Sequence, residues 1–354
     1  MSAVEERQDD TIPVRPAHRF DEAALADYLG GRLDGARGAL QVRQMQGGQS
    51  NPTYVIRFAR HEYVLRKKPP GKLLPSAHAV DREYRIQKAL AGSGLPLAEM
   101  RLYCDDDAVI GTPFYVMERM RGRVFHEVTV PGAPPDHRAE IYDQMNKCLA
   151  ILHGVDWQAR GLADFGKPGS YFARQVSRWT KQWHASKQRE IEAMDRLIEW
   201  LPEHLPDDDE TTVVHGDFRL GNLMIHPTRP EVIAVFDWEL STLGHPLADV
   251  GYNLMPYVTP HDAHLGLEGA DLDALGIPDM DTYLAAYCRR VGRPVFDPTF
   301  HIVFSLFRIA AIVEGVMARG VAGNASSEDA ARYGALTRPY AERGWAMVTR
   351  AGLA

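Results

Sequence analysis

The chain of 354 residues is longer than one hydrophobic core ordinarily supports, so its length predicts two lobes or domains. Its composition, 45% hydrophobic and 25% charged, is that of a globular protein and excludes wholesale disorder. The formal charge of −7 opposes binding of nucleic acid through the overall electrostatic field, so we expect no nucleic-acid partner.

The spacing of the cysteines and the length of the apolar runs indicate in which cellular compartment the protein is expected. Cys104, Cys148 and Cys288 lie far apart without a Cys-x-x-Cys spacing, which predicts neither a disulfide framework nor a thiolate zinc site. Residues 1–10 are polar and show no secretory signal, and no run of about 18 uncharged apolar residues predicts a membrane span. We therefore expect a cytoplasmic protein without a membrane partner, and the sequence leaves its oligomeric state open.

The first third of the chain predicts a small lobe built on an antiparallel sheet. Residues 1–19 show no period and are predicted to form a flexible arm, and a helix is predicted from Phe20 to Leu33. Strand-like runs then precede and follow a predicted helix at Asp81–Leu90; they are Leu40–Met45, Tyr54–Phe58, Tyr63–Leu65, Met100–Tyr103 and Phe114–Met117. This order predicts an N-terminal lobe of residues 20–118.

Residues 119–354 predict a larger, mainly helical lobe. Apolar residues recur at helical intervals in five stretches, which are Ile141–Leu152, Tyr171–Trp200, Met280–Arg290, Phe300–Ala318 and Glu328–Val348. Two brief apolar strands, Thr212–Val214 and Val232–Phe236, interrupt the helices. The predicted fold class is α+β, with two lobes.

The segment between those two strands has the residues that phosphoryl transfer requires. It reads Val-Val-His-Gly-Asp-Phe-Arg-Leu-Gly-Asn-Leu-Met-Ile, so that Asn222 follows Asp217 by five residues, and Asp237 follows the second strand. The chemistry needs a carboxylate that orients and deprotonates the attacking hydroxyl, and hard oxygen ligands that hold Mg²⁺ against the phosphates. The five-residue interval is that between base and metal ligand in the kinase catalytic loop.

We therefore predict Asp217 as the catalytic base and Asn222 and Asp237 as magnesium ligands. An Asp or an Asn in a turn, taken singly, more often only satisfies backbone groups. The complete string, with apolar strands on both sides and the later Asp237, favours the kinase interpretation.

This string resembles the His-Gly-Asp-x-x-x-x-Asn loop of aminoglycoside and choline kinase-like phosphotransferases. The segments Val214–Asn222 and Asp237–Gly251 resemble more closely the phosphotransferase domains found beside acyl-CoA dehydrogenases. The resemblance implies a bilobal, protein-kinase-like fold that holds ATP or GTP with Mg²⁺ in a cleft and phosphorylates a hydroxylated small molecule. It also implies a structural role for His215, and we expect Asp249 to anchor the loop backbone.

The predicted nucleotide contacts of the first lobe begin with a glycine-containing loop. Gly47, Gly48, Ser50 and Asn51 lie between two predicted strands, where glycine lets backbone N–H groups approach phosphates, although a plain hairpin turn has the same signature. In the family, the basic residue at the end of the third strand holds the α- and β-phosphates and pairs with a helix glutamate. Arg66 takes that place in this sequence, and Glu83 is the expected partner.

Two further assignments rest on position. Lys67 and Lys68 remain alternatives to Arg66, because strand alternation alone does not choose among them; Arg66 is preferred because its planar fork suits bidentate phosphate contact. Glu118 and Met120 are assigned to the hinge, where the adenine ring of the family's nucleotide hydrogen-bonds to the backbone.

Three classes of function were weighed: a small-molecule kinase, a protein kinase and an inactive kinase-shaped module. A protein kinase should show Asp-Phe-Gly and Ala-Pro-Glu, whereas here Trp238 and Glu239 follow Asp237 and the later motif is absent. An inactive module is expected to have lost the base or a metal ligand, and all three residues are present. A hydroxyacyl thioester is the leading hypothesis for the acceptor; an aminoglycoside or a choline-like alcohol is the alternative.

Overall fold

A computed structural model of the chain describes residues 11–46, 51–59, 61–69, 79–261, 266–321 and 333–354. The chain divides into two compact units. The first comprises the described residues up to Gly92, Pro96–Arg121 and the short segment Asp237–Glu239. The second comprises Ser93–Leu95, Gly122–Phe236 and Leu240–Ala354.

A six-stranded antiparallel sheet forms the first unit, in the order β1-β2-β3-β4-β6-β5. Its strands are β1 Thr11–Ile12, β2 Gln41–Met45, β3 Thr53–Phe58, β4 His61–Lys67, β5 Met100–Cys104 and β6 Phe114–Glu118. Valine, isoleucine and aromatic residues recur in these runs because they fit a pleated, half-buried surface. Within the described residues, three α-helices accompany the sheet: α1 Glu22–Leu29, α2 Val80–Leu90 and the single-turn α3 Asp107–Ile110.

Helix α1 packs on the sheet and ends earlier than the sequence predicts. The Asp21 carboxylate caps its first turn by accepting hydrogen bonds from two backbone N–H groups, and Leu25 and Leu29 are buried in the core of the sheet. The helix ends at Leu29, not Leu33, because Gly31 adopts a φ of 80°, a left-handed conformation that glycine reaches without steric cost.

The predicted flexible arm contains ordered structure in its last nine residues. Thr11 and Ile12 pair with Met45 and Gln44 at the edge of the sheet, and Arg43 donates hydrogen bonds to the backbone carbonyl and hydroxyl of Thr11. A strand of two residues is too short to show a period, so only its pairing with β2 reveals it.

The second unit is mainly helical and contains two small two-stranded ladders. Its helices are α4 Pro135–His153, α5 Tyr171–Ser186, α6 Glu192–Glu203, α7 Pro246–Leu254, α8 Leu272–Leu275, α9 Met280–Val291, α10 Thr299–Val321 and α11 Thr337–Arg350. Strand β7 Thr212–Val214 pairs with β10 Thr242–Gly244, and β8 Leu223–Ile225 pairs with β9 Val232–Val235. These elements confirm the predicted α+β class, with a small antiparallel-sheet unit and a larger helical one.

Helix α10 is the central packing element of this unit, in contact with α5, α7 and α11. By length and composition the stretch Thr299–Gly320 is also apolar enough to cross a membrane, although Arg308 and Glu314 keep it from being an uncharged run. However, 72% of the most apolar 18 residues of this stretch is buried inside the protein, as in a core helix.

The predicted stretch Tyr171–Trp200 is two helices and not one. Helix α5 ends at Ser186 because the backbone N–H of Gln188 donates to Glu314 of α10, at 2.9 Å, and so leaves the helical ladder. The start predicted for the last helix, Glu328, lies outside the described residues, and within them this helix runs from Thr337 to Arg350.

Candidate active site

The loop that carries Asp217 follows a fully buried strand. Val213 and Val214 of β7 are completely enclosed, which fixes the point at which the loop begins. Gly216 adopts a φ of 82°, and a Cβ atom at this position would lie 2.7 Å from the carbonyl oxygen of Leu240. Only glycine therefore fits at this turn.

Asp249, at the first turn of α7, anchors the same loop. Its carboxylate accepts hydrogen bonds from the backbone N–H groups of His215 and Gly216 at 2.7 and 2.9 Å. Burial alone would raise the pKa of this carboxyl, but the hydrogen bonds from His153 and from the backbone of His215 oppose burial, and its pKa is lowered. The anchoring role predicted for Asp249 is confirmed.

His215 ties the loop to the end of β9. Its Nδ1 accepts a hydrogen bond from the backbone N–H of Asp217 at 3.2 Å, which leaves Nε2 as the donor. That Nε2 donates to the backbone carbonyl of Phe236 at 3.0 Å. The structural role expected of His215 is therefore confirmed.

Asp217 and Asn222 lie in direct contact, as their spacing predicts. Asn222 Nδ2 donates to the backbone carbonyl of Asp217 at 2.9 Å and to its Oδ2 at 2.8 Å, and Arg219 Nε lies 3.3 Å from the same Oδ2. The Asp217 side chain keeps 23% of its surface exposed. The carboxylate is thus held in one orientation and stays partly accessible to solvent.

The pair Arg66 and Glu83 forms a buried ion pair in the first unit. Arg66 Nε lies 3.1 Å from Glu83 Oε2, and Glu83, only 1% exposed, also accepts hydrogen bonds from Asn51 Nδ2 at 2.6 Å and Tyr115 Oη at 2.9 Å. Burial raises the pKa of Glu83 in spite of the Arg66 charge. The predicted pairing is confirmed, while the contact of Arg66 with phosphate stays a prediction.

The side chains of β4 also distinguish Arg66 from its basic neighbour Lys67. Arg66 is 13% exposed on the face that carries Glu83, whereas Lys67 is buried, with its ammonium group 5.8 Å from the centre of the Phe20 ring. Burial lowers the pKa of Lys67. Of these two side chains, only Arg66 contacts Glu83.

Asp237 is held by the same arginine. Arg66 Nη2 lies 3.1 Å from Asp237 Oδ1 and 3.8 Å from a carboxylate oxygen of Glu239. Burial would lower the pKa of Arg66, but the neighbouring Tyr115, Glu83 and Asp237 outweigh burial and raise its pKa. Asp237 also has a φ of 67°, a conformation that non-glycine residues adopt rarely and that is concentrated at functional sites.

Of the remaining predicted nucleotide contacts, some lie outside the described residues and others lie at the end of β6 or after it. Gly47, Gly48 and Ser50 lie outside the described residues. Glu118, the last residue of β6, donates its backbone N–H to Glu99 at 2.9 Å, so an adenine contact there would use its carbonyl oxygen. Met120 follows two residues later, outside the strand.

The side chains of Asn222 and Asp237, each taken by itself, suit Mg²⁺. Carboxylate and amide oxygens are the hard ligands that this ion prefers, and both hydrogen bonds of the Asn222 amide use Nδ2, whereas metal ligation would use Oδ1. Asn222 and Asp237 therefore have the chemistry expected of magnesium ligands, and their ligand role stays a prediction.

Comparison with known proteins identifies the family. A family model described as the phosphotransferase enzyme family matches residues 41–288, more than half of the chain. The chain belongs to this phosphotransferase family. Its curated relatives include mouse acyl-CoA dehydrogenase family member 10, 48% identical over 347 residues, and human member 11, 42% identical over 350 residues. Both alignments cover 97% of this chain but only 32% and 45% of the respective relative, so the chain spans less than half of either protein.

Solved structures agree with this assignment. A crystal structure from Ralstonia eutropha, provisionally named an aminoglycoside phosphotransferase, is 48% identical and superimposes with a TM-score of 0.86. The match covers 94% of this chain and 99% of the Ralstonia chain. A spectinomycin phosphotransferase solved with ADP and spectinomycin shares the fold at 11% identity, with a TM-score of 0.62 and coverage of 94% and 99%. The predicted resemblance to phosphotransferase domains associated with acyl-CoA dehydrogenases is confirmed.

Two residues beside the Asp217 loop of this phosphotransferase were missed by the sequence analysis. Tyr252 of α7 is half-buried, and burial together with the negative charge of the neighbouring Asp217 raises the pKa of its hydroxyl. Arg308 of α10 donates to the carbonyl of Gly216 and lies over the Tyr252 ring, with its guanidinium carbon 5.8 Å from the ring centre. Neither residue belongs to a local motif, so no signal in the sequence connects them with the loop.

Proposed function

We propose that this phosphotransferase is a small-molecule kinase that moves the γ-phosphoryl of ATP (or GTP), with Mg²⁺, onto a substrate hydroxyl. The observation that carries the proposal is the Asp217 carboxylate, partly exposed and oriented by Asn222 and Arg219 in a loop anchored by Asp249. In phosphoryl transfer the protein contributes mainly positioning and electrostatic stabilisation, and this loop is built to position one carboxylate.

Each residue has a defined task in this mechanism. Asp217 accepts the proton of the substrate hydroxyl and aligns its oxygen for in-line attack on the γ-phosphorus. Asn222 and Asp237 would hold Mg²⁺, which supplies neutralisation of phosphate charge when bound. Arg66, kept in place by the buried Glu83, would contact the α- and β-phosphates in exchange for its contact with Asp237.

The acceptor we propose is a hydroxyacyl thioester or a related hydroxylated metabolite. The support is that relatives 42% to 48% identical over nearly the whole chain are named as acyl-CoA dehydrogenases. An aminoglycoside or a choline-like alcohol is the alternative, because a structure that shares the fold was solved with spectinomycin. A kinase-shaped module without turnover is the remaining alternative.

A screen for ADP release tests this proposal. Purified protein with ATP and Mg²⁺ would be offered hydroxyacyl thioesters, the corresponding free hydroxy acids, aminoglycosides and choline, and the phosphorylated product would be identified by mass spectrometry. We expect turnover with a hydroxyacyl thioester and its loss in Asp217→Asn. If the protein binds nucleotide but phosphorylates no acceptor, the inactive module is the correct interpretation.

A further inference from the structure

The exposed face of helix α5 lines a shallow, open groove on the second unit. Three of its lining residues, Arg174, Arg178 and Lys181, recur at intervals of four and three residues, which places them on one face of the helix. At 1.5 Å per residue, they span about 10 Å along the helix axis.

The charge of this face is opposite to that of the whole chain. The protein has 47 acidic and 40 basic residues, yet α5 contains no Asp or Glu from Tyr171 to Ser186. Arg178 and Lys181 are exposed in the groove. Arg174 donates from Nη2 to the carbonyl of Lys167, while its buried Nη1 has no hydrogen-bond partner among the described residues. The face therefore offers several positive donors to a ligand.

Stacked side chains connect this face with the loop that carries Asp217. The guanidinium carbon of Arg178 lies 5.2 Å from the centre of the Trp179 ring, and that of Arg308 lies 5.8 Å from the same centre. Arg308 in turn donates to the carbonyl of Gly216, the residue before Asp217. Arg178 of the groove is thus connected to the Asp217 loop through Trp179 and Arg308, within one unit.

We propose that the basic face of α5 is a subsite that binds phosphate groups at the end of the acceptor remote from its reacting hydroxyl. The inference rests on the proposed function, because it takes Asp217 as the position of that hydroxyl. Arginine forks suit phosphate oxygens, and cations spread over about 10 Å match a ligand with several phosphates. A cationic acceptor such as an aminoglycoside would meet like charges along this face.

A binding experiment with coenzyme A and pantetheine tests the subsite. The two probes share the thiol arm, and only coenzyme A carries phosphates. Isothermal titration in the presence of AMP-PNP and Mg²⁺ would compare wild type, the double variant Arg178→Gln/Lys181→Gln, and Arg289→Gln, a control that removes one exposed arginine of α9. We expect the double variant to bind coenzyme A about tenfold more weakly, with no change in the control and weak, equal binding of pantetheine to all three proteins.

Three results would overturn the subsite. The first is equal affinity of wild type and the double variant for coenzyme A, and the second is no preference of wild type for coenzyme A over pantetheine. The third is binding of a single-stranded oligonucleotide that is tighter than that of coenzyme A and is lost in the same variant, which would make the face a nucleic-acid surface. Failure of the kinase proposal is a separate observation, since it is an absence of phosphoryl transfer and not of coenzyme A binding.

Discussion

Replacing Asp249 by asparagine tests whether the Asp217 loop depends on a buried anion for its conformation. Asparagine keeps the shape of the side chain but removes its charge and presents an NH₂ group to one of two backbone N–H donors. In the structure these donors are the N–H groups of His215 and Gly216, at 2.7 and 2.9 Å from separate carboxylate oxygens. At most one of the two bonds persists in the variant, as a bond to a neutral acceptor.

The expected loss follows from those two bonds. A hydrogen bond to a charged group contributes about 1.5 to 3 kcal/mol and a neutral bond about 1 kcal/mol, so Asp249→Asn should lower the free energy of unfolding by about 2 to 5 kcal/mol. The lowered pKa of Asp249 gives this contribution a pH dependence. It is present above the unfolded pKa, near 3.8, and is lost as the pH falls through the folded pKa.

Urea denaturation at neutral pH measures the loss in the free energy of unfolding, and an assay of turnover measures the effect on the Asp217 loop. Asp27→Asn is a matched control, because Asp27 is exposed on α1, and its stability should change by no more than about 0.5 kcal/mol. We expect Asp249→Asn to lose stability and turnover together. Wild-type stability and turnover in this variant would refute the anchoring role.

Three further predictions concern the metal ligands and a buried histidine. Asp237→Ala should abolish magnesium-dependent turnover while the fold remains intact by circular dichroism, and Asp237→Gly, which suits the φ of 67°, should be as inactive and at least as stable. Asn222→Ala should give a milder loss of turnover, because a neutral ligand is removed. Burial, with the charges of His245 and Arg293, lowers the pKa of His301 to about 3, so the folded state binds fewer protons than the unfolded state below pH 6.5. Stability should therefore decrease as the pH falls below 6.5, by up to about 1.4 kcal/mol per pH unit from His301. Urea denaturation of His301→Leu should show a shallower slope, while His245, whose pKa is also lowered, keeps its own contribution.

The sequence predicts the Asp217 loop well because its determinants are local. Asp217 and Asn222 are five residues apart, and the contact between them needs only the short turn that this spacing defines. The pairing of Arg66 with Glu83 was predictable from a strand end and the helix after it, together with the family resemblance. The choice between Arg66 and Lys67 was not, because alternation gives two faces and only the packing of the strand shows which face carries Glu83.

Other features depend on residues distant in the chain and have no local signal. The break between α5 and α6 follows from a bond between Gln188 and Glu314, 126 residues away in the sequence. Arg308 reaches Gly216 across 92 residues, and its long apolar helix gives no indication of a role beside the loop. Such contacts form only when the helices of the second unit pack together.

The most direct test of the proposed kinase is phosphoryl transfer by wild type and Asp217→Asn, measured together with nucleotide affinity. Loss of a general base typically lowers the rate by about 10² to 10⁴, or roughly 3 to 5 kcal/mol of barrier, and it acts on the chemical step. We predict a fall in turnover of that size in Asp217→Asn, with the dissociation constant for the nucleotide nearly unchanged. Near-normal phosphorylation of the acceptor by Asp217→Asn would contradict the assignment of Asp217 as the base and the mechanism built on it.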